Sequence, residues 1–114
     1  MLAEAAACAS RSDIDPRVFV DILAKGGGDG VILNRLRPFI ESRDNSAFRF
    51  SISNALKDMG YYTTMAQEIG AMHGTAEAIR QTYDFAGAAG GKQATVPEMV
   101  QILAEADAAA LAKA

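Results

Sequence analysis

The chain has one cysteine, Cys8, and therefore no internal disulfide; set among alanines, its thiol reads as a small buried hydrophobe without chemistry. It has one histidine, His73, and no second histidine or cysteine to build a metal site with it, so His73 reads as an exposed loop residue. Aromatic side chains make up 7% of the sequence and no run alternates with period two, which argues against a sheet. The longest apolar stretches fall well short of the ~20 residues that cross a bilayer. The opening MLAEAAACASRSD lacks the cationic start of a signal peptide, and a cytoplasmic protein is expected. A net charge of −3 supplies no general basic surface, which excludes ordinary nucleic-acid binding.

What is present is helix-forming. Half of the 114 residues are hydrophobic and alanine dominates, so the spacing predicts an all-α fold, a single bundle of about five to six helices over residues 1–114. Residues 1–11 read as helix without an opening cap. Asp15 and Pro16 form a strong helix start, with Val18, Phe19, Ile22 and Leu23 as the apolar face and Gly26 as a left-handed end. The GGGDG that follows lacks both the preceding strand and the Lys-Ser/Thr of a phosphate loop, and reads as a connector. Ile32, Leu33 and Leu36 repeat at helical spacing until Pro38, where a kink or stop is expected. Arg35 and Arg37 read as ion-pair partners. Thr75 is placed to cap a helix with Ile79, Tyr83 and Ala86 inward, closed by Gly90 and Gly91. Thr95 and Glu98 have the spacing of a capping box ahead of a last helix with Met99, Ile102, Leu103 and Ala106 inward; its end, ADAAALAKA, is expected to fray.

The stretch from Phe50 to Gly70 organises the rest. Ile52, Ala55, Leu56, Met59, Tyr62, Thr63, Ala66 and Ile69 follow the three-and-four spacing of a packed face. Ser53, Asn54, Lys57, Tyr61 and Thr64 occupy the other side, where a cation is flanked by hydroxyls, an amide and a ring. On physics alone this is equally a solvated surface. Gly60 inside the helix costs about 1 kcal/mol relative to alanine, which points to close approach by a backbone or ligand, or to tight helix packing.

With Phe50, Lys57 and Asp58 in place, FSISNALKDMG resembles the cofactor-binding signature of the 3-hydroxyisobutyrate dehydrogenase, or β-hydroxyacid dehydrogenase, family. The preceding IDPRVFVDILAKGGG and ILNRLRPFI, with Asn34, Arg35 and Pro38 in an Asn-Arg-x-x-Pro pattern, resemble the order in which that family's helical C-terminal domain begins. The likeness covers roughly residues 1 to 105. It implies a fold like the C-terminal domain of 6-phosphogluconate dehydrogenase, closing over the nicotinamide of NAD or NADP held by an N-terminal Rossmann domain. It further implies homo-oligomers, a small hydroxy acid or semialdehyde as substrate, and Lys57, Asp58 and Phe50 as cofactor-binding residues.

Three departures limit what the resemblance carries. Arg49 stands where the family often has the Gly of a Pro-Gly entry, AMHGT replaces a proline-containing turn, and neither the family's catalytic Lys and nearby Asn nor a glycine-rich dinucleotide fingerprint has a counterpart. No catalytic residue is therefore assigned, and inactivity of the chain alone is expected. The alternative of a different class is a stand-alone helical interaction module, pairing through its first helix and alanine-rich tail.

Overall fold

A computed structural model describes residues 2–91 and 93–107, and the tail ADAAALAKA lies mostly outside them. Among the described residues there are no strands, and the helices are α1 (Leu2–Arg11), α2 (Pro16–Ala24), α3 (Val31–Ser42), α4 (Ile52–Glu68), α5 (Gly74–Gly90) and α6 (Met99–Glu105), with a 3-10 turn at Val96–Glu98. The all-α expectation holds. Among the described residues no helix is long and apolar enough to cross a membrane. The helices fall into two compact units, one of α1, α2, α3, the 3-10 turn and α6, the other of α4 and α5.

In the first unit, Ala3, Ala6, Ala7 and Ala9 give α1 a buried face of methyl groups, which lets α6 approach with Met99 and Val100 fully buried. Arg11 then donates to the carbonyls of Ala106 at 2.6 Å and Ala104 at 3.3 Å, satisfying acceptors that the end of α6 leaves orphaned. Cys8 lies on the opposite side of α1 and is exposed, because the inward positions are filled by the alanines.

The Asp15 cap forms as expected, its carboxylate accepting from the Arg17 N–H at 2.8 Å, with Pro16 in the first turn. The inward face of α2 differs from the sequence reading. Val20 is the fully buried residue and Phe19 and Leu23 are half-buried, while Val18 and Ile22 are 49% and 66% exposed. Nor does Gly26 close α2 in a left-handed conformation; Lys25 ends it with an ordinary right-handed geometry.

Pro38 does not stop α3, which continues to Ser42. The proline removes one donor, but Phe39 and Ile40 beyond it are 3% and 5% exposed. Burying two such side chains stabilises by roughly 1.5–3 kcal/mol each, enough to offset one absent ladder bond. The helix ends at Arg43 in a left-handed conformation, its guanidinium 5.3 Å from the Phe39 ring. Arg37 pairs with Asp21 and Glu41, as expected of an ion-pair residue, and Arg35 lies over Phe48 at 5.6 Å. The Glu98 carboxylate accepts from the Thr95 N–H at 2.9 Å, the return half of a capping box that starts the 3-10 turn.

In the second unit α4 begins at Ile52, two residues later than Phe50. The Ser51 hydroxyl accepts from the Asn54 N–H at 3.1 Å as N-cap, and the Ile52 N–H, orphaned by the helix start, donates to the Ala94 carbonyl at 2.8 Å. At the other end Gly70, with φ 71°, closes a Schellman pair in which Ala71 N–H bonds Ala66 O and Gly70 N–H bonds Gln67 O. The buried face is Ile52, Ala55, Thr63 and Ala66, with Leu56 and Met59 half-buried. Tyr62 and Ile69, expected inward, are 49% and 71% exposed, because α5 covers only one side of α4.

The partner helix α5 buries Thr82 and Ala86 and half-buries Ile79 and Tyr83. The two buried threonines bond carbonyls of their own helices, Thr63 to Gly60 and Thr82 to Ala78, so neither hydroxyl is left unpaired. Thr75 does not cap α5. The helix begins earlier, at Gly74, with half-buried His73 in the cap position and its Nδ1 2.8 Å from the Ala71 carbonyl.

The contrast between Leu33, 2% exposed, and Ile22 supplies a test. Leu33→Ala should cost about 2–5 kcal/mol of unfolding free energy in urea, and Ile22→Ala no more than about 0.5 kcal/mol. Equal costs would show that α2 buries a different face.

Candidate functional site

The site residues read from the sequence all belong to α4 or its entry. Phe50 is half-buried just before the Ser51 cap, while Lys57 and Asp58 are exposed two turns into the helix. Consecutive helical residues point about 100° apart. Lys57 thus shares a stripe with Ser53, Gly60 and Thr64, one turn apart, whereas Asp58 shares its face with Tyr62, Met65 and Ile69. Lys57 and Asp58 serve two neighbouring surfaces of one rod and do not face each other.

The stripe beside Lys57 is open and polar. Ser53, Lys57 and Thr64 are exposed, and a Cβ built on Gly60 would meet nothing within 4 Å. Packing among the described residues therefore does not explain a glycine there. The Asp58 face is apolar: Tyr62, Met65 and Ile69 are 49%, 51% and 71% exposed, and Met72 just past the helix is 96% exposed, while Tyr61, one turn after Lys57, is 67% exposed on the Lys57 side.

Next to the Lys57 stripe, a groove of about 380 Å³ runs between α4 and α5, lined by Ile52, Ser53, Leu56, Asp84, Gly87 and Ala88. Asp84 was not legible as a site residue. It stands one turn before Gly87 and Ala88 on α5, and only the pairing of the two helices brings it and Ser53 into the lining of one groove. One turn earlier, the Arg80 guanidinium bonds Glu77 through Nε at 3.0 Å and holds that carboxyl below its usual range; the same bond raises Arg80. Arg80 is thereby engaged by Glu77, and Asp84 reaches it through space only. Burial pushes the Tyr83 hydroxyl up, so it stays protonated near neutral pH. Among the described residues no group of three His, Cys, Asp or Glu side chains gathers to hold a metal.

An all-helical domain that carries an exposed lysine stripe alongside an interhelical groove defines the class. More narrowly, a family model described as the NAD-binding domain of NADP-dependent 3-hydroxyisobutyrate dehydrogenase matches residues 1–103, and the chain belongs to that family. The cofactor of the family is NAD or NADP. No curated protein and no solved structure matches the chain.

The open space at Gly60 yields a prediction. Gly60→Ala should raise the unfolding free energy by roughly 0.5–1 kcal/mol, because the methyl meets no neighbour and the unfolded chain loses freedom. A lower midpoint in a denaturant titration would show that the helix is tight at that point.

Proposed function

We propose that this chain is the helical C-terminal domain of an NAD(P)-dependent dehydrogenase that transfers hydride between the C4 carbon of nicotinamide and the hydroxyl-bearing carbon of a small hydroxy acid, with α4 facing the cleft. The observation that carries this reading is Lys57, exposed on an open polar stripe of a chain that belongs to the 3-hydroxyisobutyrate dehydrogenase family. An ammonium so placed can donate to a ribose hydroxyl, a carboxamide oxygen or an anionic group, and exclusion of water by a covering domain strengthens that bond. Phe50, half-buried just before the helix, is the residue that packs near the nicotinamide ring in this reading. Asp58 acts from the adjacent face, on a polar group of the cofactor or of the covering domain instead of on Lys57.

The apolar Asp58 face supports closure by a second domain or subunit, since contiguous exposed Tyr62, Met65 and Ile69 are more than a solvated helix ordinarily presents. A Rossmann domain is the partner this reading requires, because a dinucleotide needs a glycine-rich strand-to-helix turn and these helices offer none. Hydride transfer to a carbonyl also needs a proton donor within hydrogen-bond reach of the reacting oxygen, and no residue of α4 or α5 is assigned that part. The chain alone is therefore expected to show no turnover.

The test joins the 114 residues to a Rossmann domain encoded immediately upstream and assays a panel of small hydroxy acids. Lys57→Ala should lower kcat/KM about ten-fold or more, the loss of one charge-assisted hydrogen bond. Unchanged kinetics would remove Lys57 from the cleft.

A further inference from the structure

The exposed apolar face of α4 has a counterpart on α2. From Asp58 the α4 ridge runs through Tyr62, Met65 and Ile69, at intervals of four, three and four residues. From Lys25, at the end of α2, a second ridge runs back through Ile22 and Val18 to Ile14, just ahead of the Asp15 cap, at intervals of three, four and four. All six apolar side chains are exposed. Each ridge spans eleven positions, about 16 Å of helix on α4, and each ends in one charge, negative on α4 and positive on α2. Neither Asp58 nor Lys25 has an ion-pair partner among the described residues.

Laid antiparallel with the two charges together, the ridges come into register. Counted from the charges, apolar residues stand at three, seven and eleven on α2 and at four, seven and eleven on α4. Ile22 therefore meets Tyr62, Val18 meets Met65 and Ile14 meets Ile69, so that branched aliphatic side chains are set against a ring, an adaptable thioether and a further aliphatic group. The reverse orientation is disfavoured, because it brings the Asp15 end of α2 to Asp58 and leaves Lys25 against Ile69. Asp15 itself, near the far end of the antiparallel pair, is already bound in its cap.

We propose that a second copy of this chain covers the Asp58 face, its α2 ridge lying antiparallel on the α4 ridge with Lys25 paired to Asp58. The pairing names the body on that face and does not depend on the chemistry of the Lys57 stripe. The contact is heterologous, joining different surfaces of the two copies. Four side chains on each ridge are far fewer than the roughly 20–30 residues of a standard interface, so one such contact is weak and forms at high concentration.

The experiment measures the mass of the full 114-residue chain by sedimentation equilibrium from about 10 µM to about 1 mM. A weight-average mass that rises with concentration above that of one chain is expected. Ile22→Glu and Ile69→Glu, both at exposed positions, should each hold the chain monomeric. An equimolar mixture of the two should associate again, because the first keeps an intact α4 ridge and the second an intact α2 ridge. Reversing one charge, by Lys25→Glu or Asp58→Lys, should weaken association about five-fold or more, and the double variant should return to within about two-fold of the parent. A chain that stays monomeric throughout overturns the proposal, as does a Glu variant that still self-associates, a mixture that stays monomeric, or a double charge variant no better than the single ones. Circular dichroism of each variant must match the parent, and where a Glu variant unfolds, Gln at the same position replaces it. The outcome is separable from the Lys57 test: a monomeric chain whose Lys57→Ala variant still lowers kcat/KM in the joined enzyme leaves the dehydrogenase in place and gives the Asp58 face to the Rossmann domain.

Discussion

The burial of Ile52 is the constraint on which the candidate site depends. Its side chain is fully buried at the first turn of α4, its N–H is tied to the Ala94 carbonyl, and the Ser51 hydroxyl caps the helix immediately before it. These three attachments fix the rotation of the helix about its own axis. Once Ile52 points inward, the helical repeat sends Ser53 and Leu56 along the α5 groove and Lys57 to the neighbouring open stripe. A lysine at the end of a long side chain is presented to one surface only when the rotation of its helix is set. Here the setting is done by an apolar residue and a cap, well away from the charge itself.

A second consequence follows from how α5 meets α4. The contact is made by small or β-branched residues, Ala55, Thr63 and Ala66 against Thr82 and Ala86, which keeps the helices close and confines burial to one side. Close packing on one side leaves the other side bare. The exposed Tyr62, Met65 and Ile69 are thus not a failure of patterning but the remainder of a helix whose apolar arc is wider than one neighbour can cover. That remainder and the polar stripe are adjacent, so a body that settled on the apolar arc would also bring its edge over Lys57 and shield it from water.

The pattern of alanines, caps and three-and-four spacing made the helices legible, and the Asp15 and Thr95–Glu98 caps appear where their chemistry requires. What was not legible is which side of an amphipathic helix wins when both carry apolar residues. Periodicity assigned Tyr62, Thr63 and Ile69 inward on α4 and Val18 and Ile22 inward on α2, yet of the first three only Thr63 is buried and on α2 the buried place falls to Val20, since burial is decided by the neighbour's surface and not by one helix's own hydrophobicity. Pro38 misled for a related reason. The local rule counts one absent hydrogen bond, whereas Phe39 and Ile40 beyond it count two buried side chains. Lys57 was a candidate in the sequence because it lies within a contiguous motif; Asp84 was not, because its place with Ser53 in the lining of one groove crosses two helices and no spacing records it.

The division of charge between the two helices bears on how a hydride-transfer site of this family can discriminate its ligands. A fixed anion on α5, Asp84, and a fixed cation on α4, Lys57, favour ligands, or parts of a ligand, of opposite charge. Because each is exposed, both effects are weak in open water and grow only as a covering surface excludes it. Closure is then the step at which the charges acquire discriminating power, and a helical pair with one polar and one apolar bare surface has the surface both to attract that cover and to make use of it.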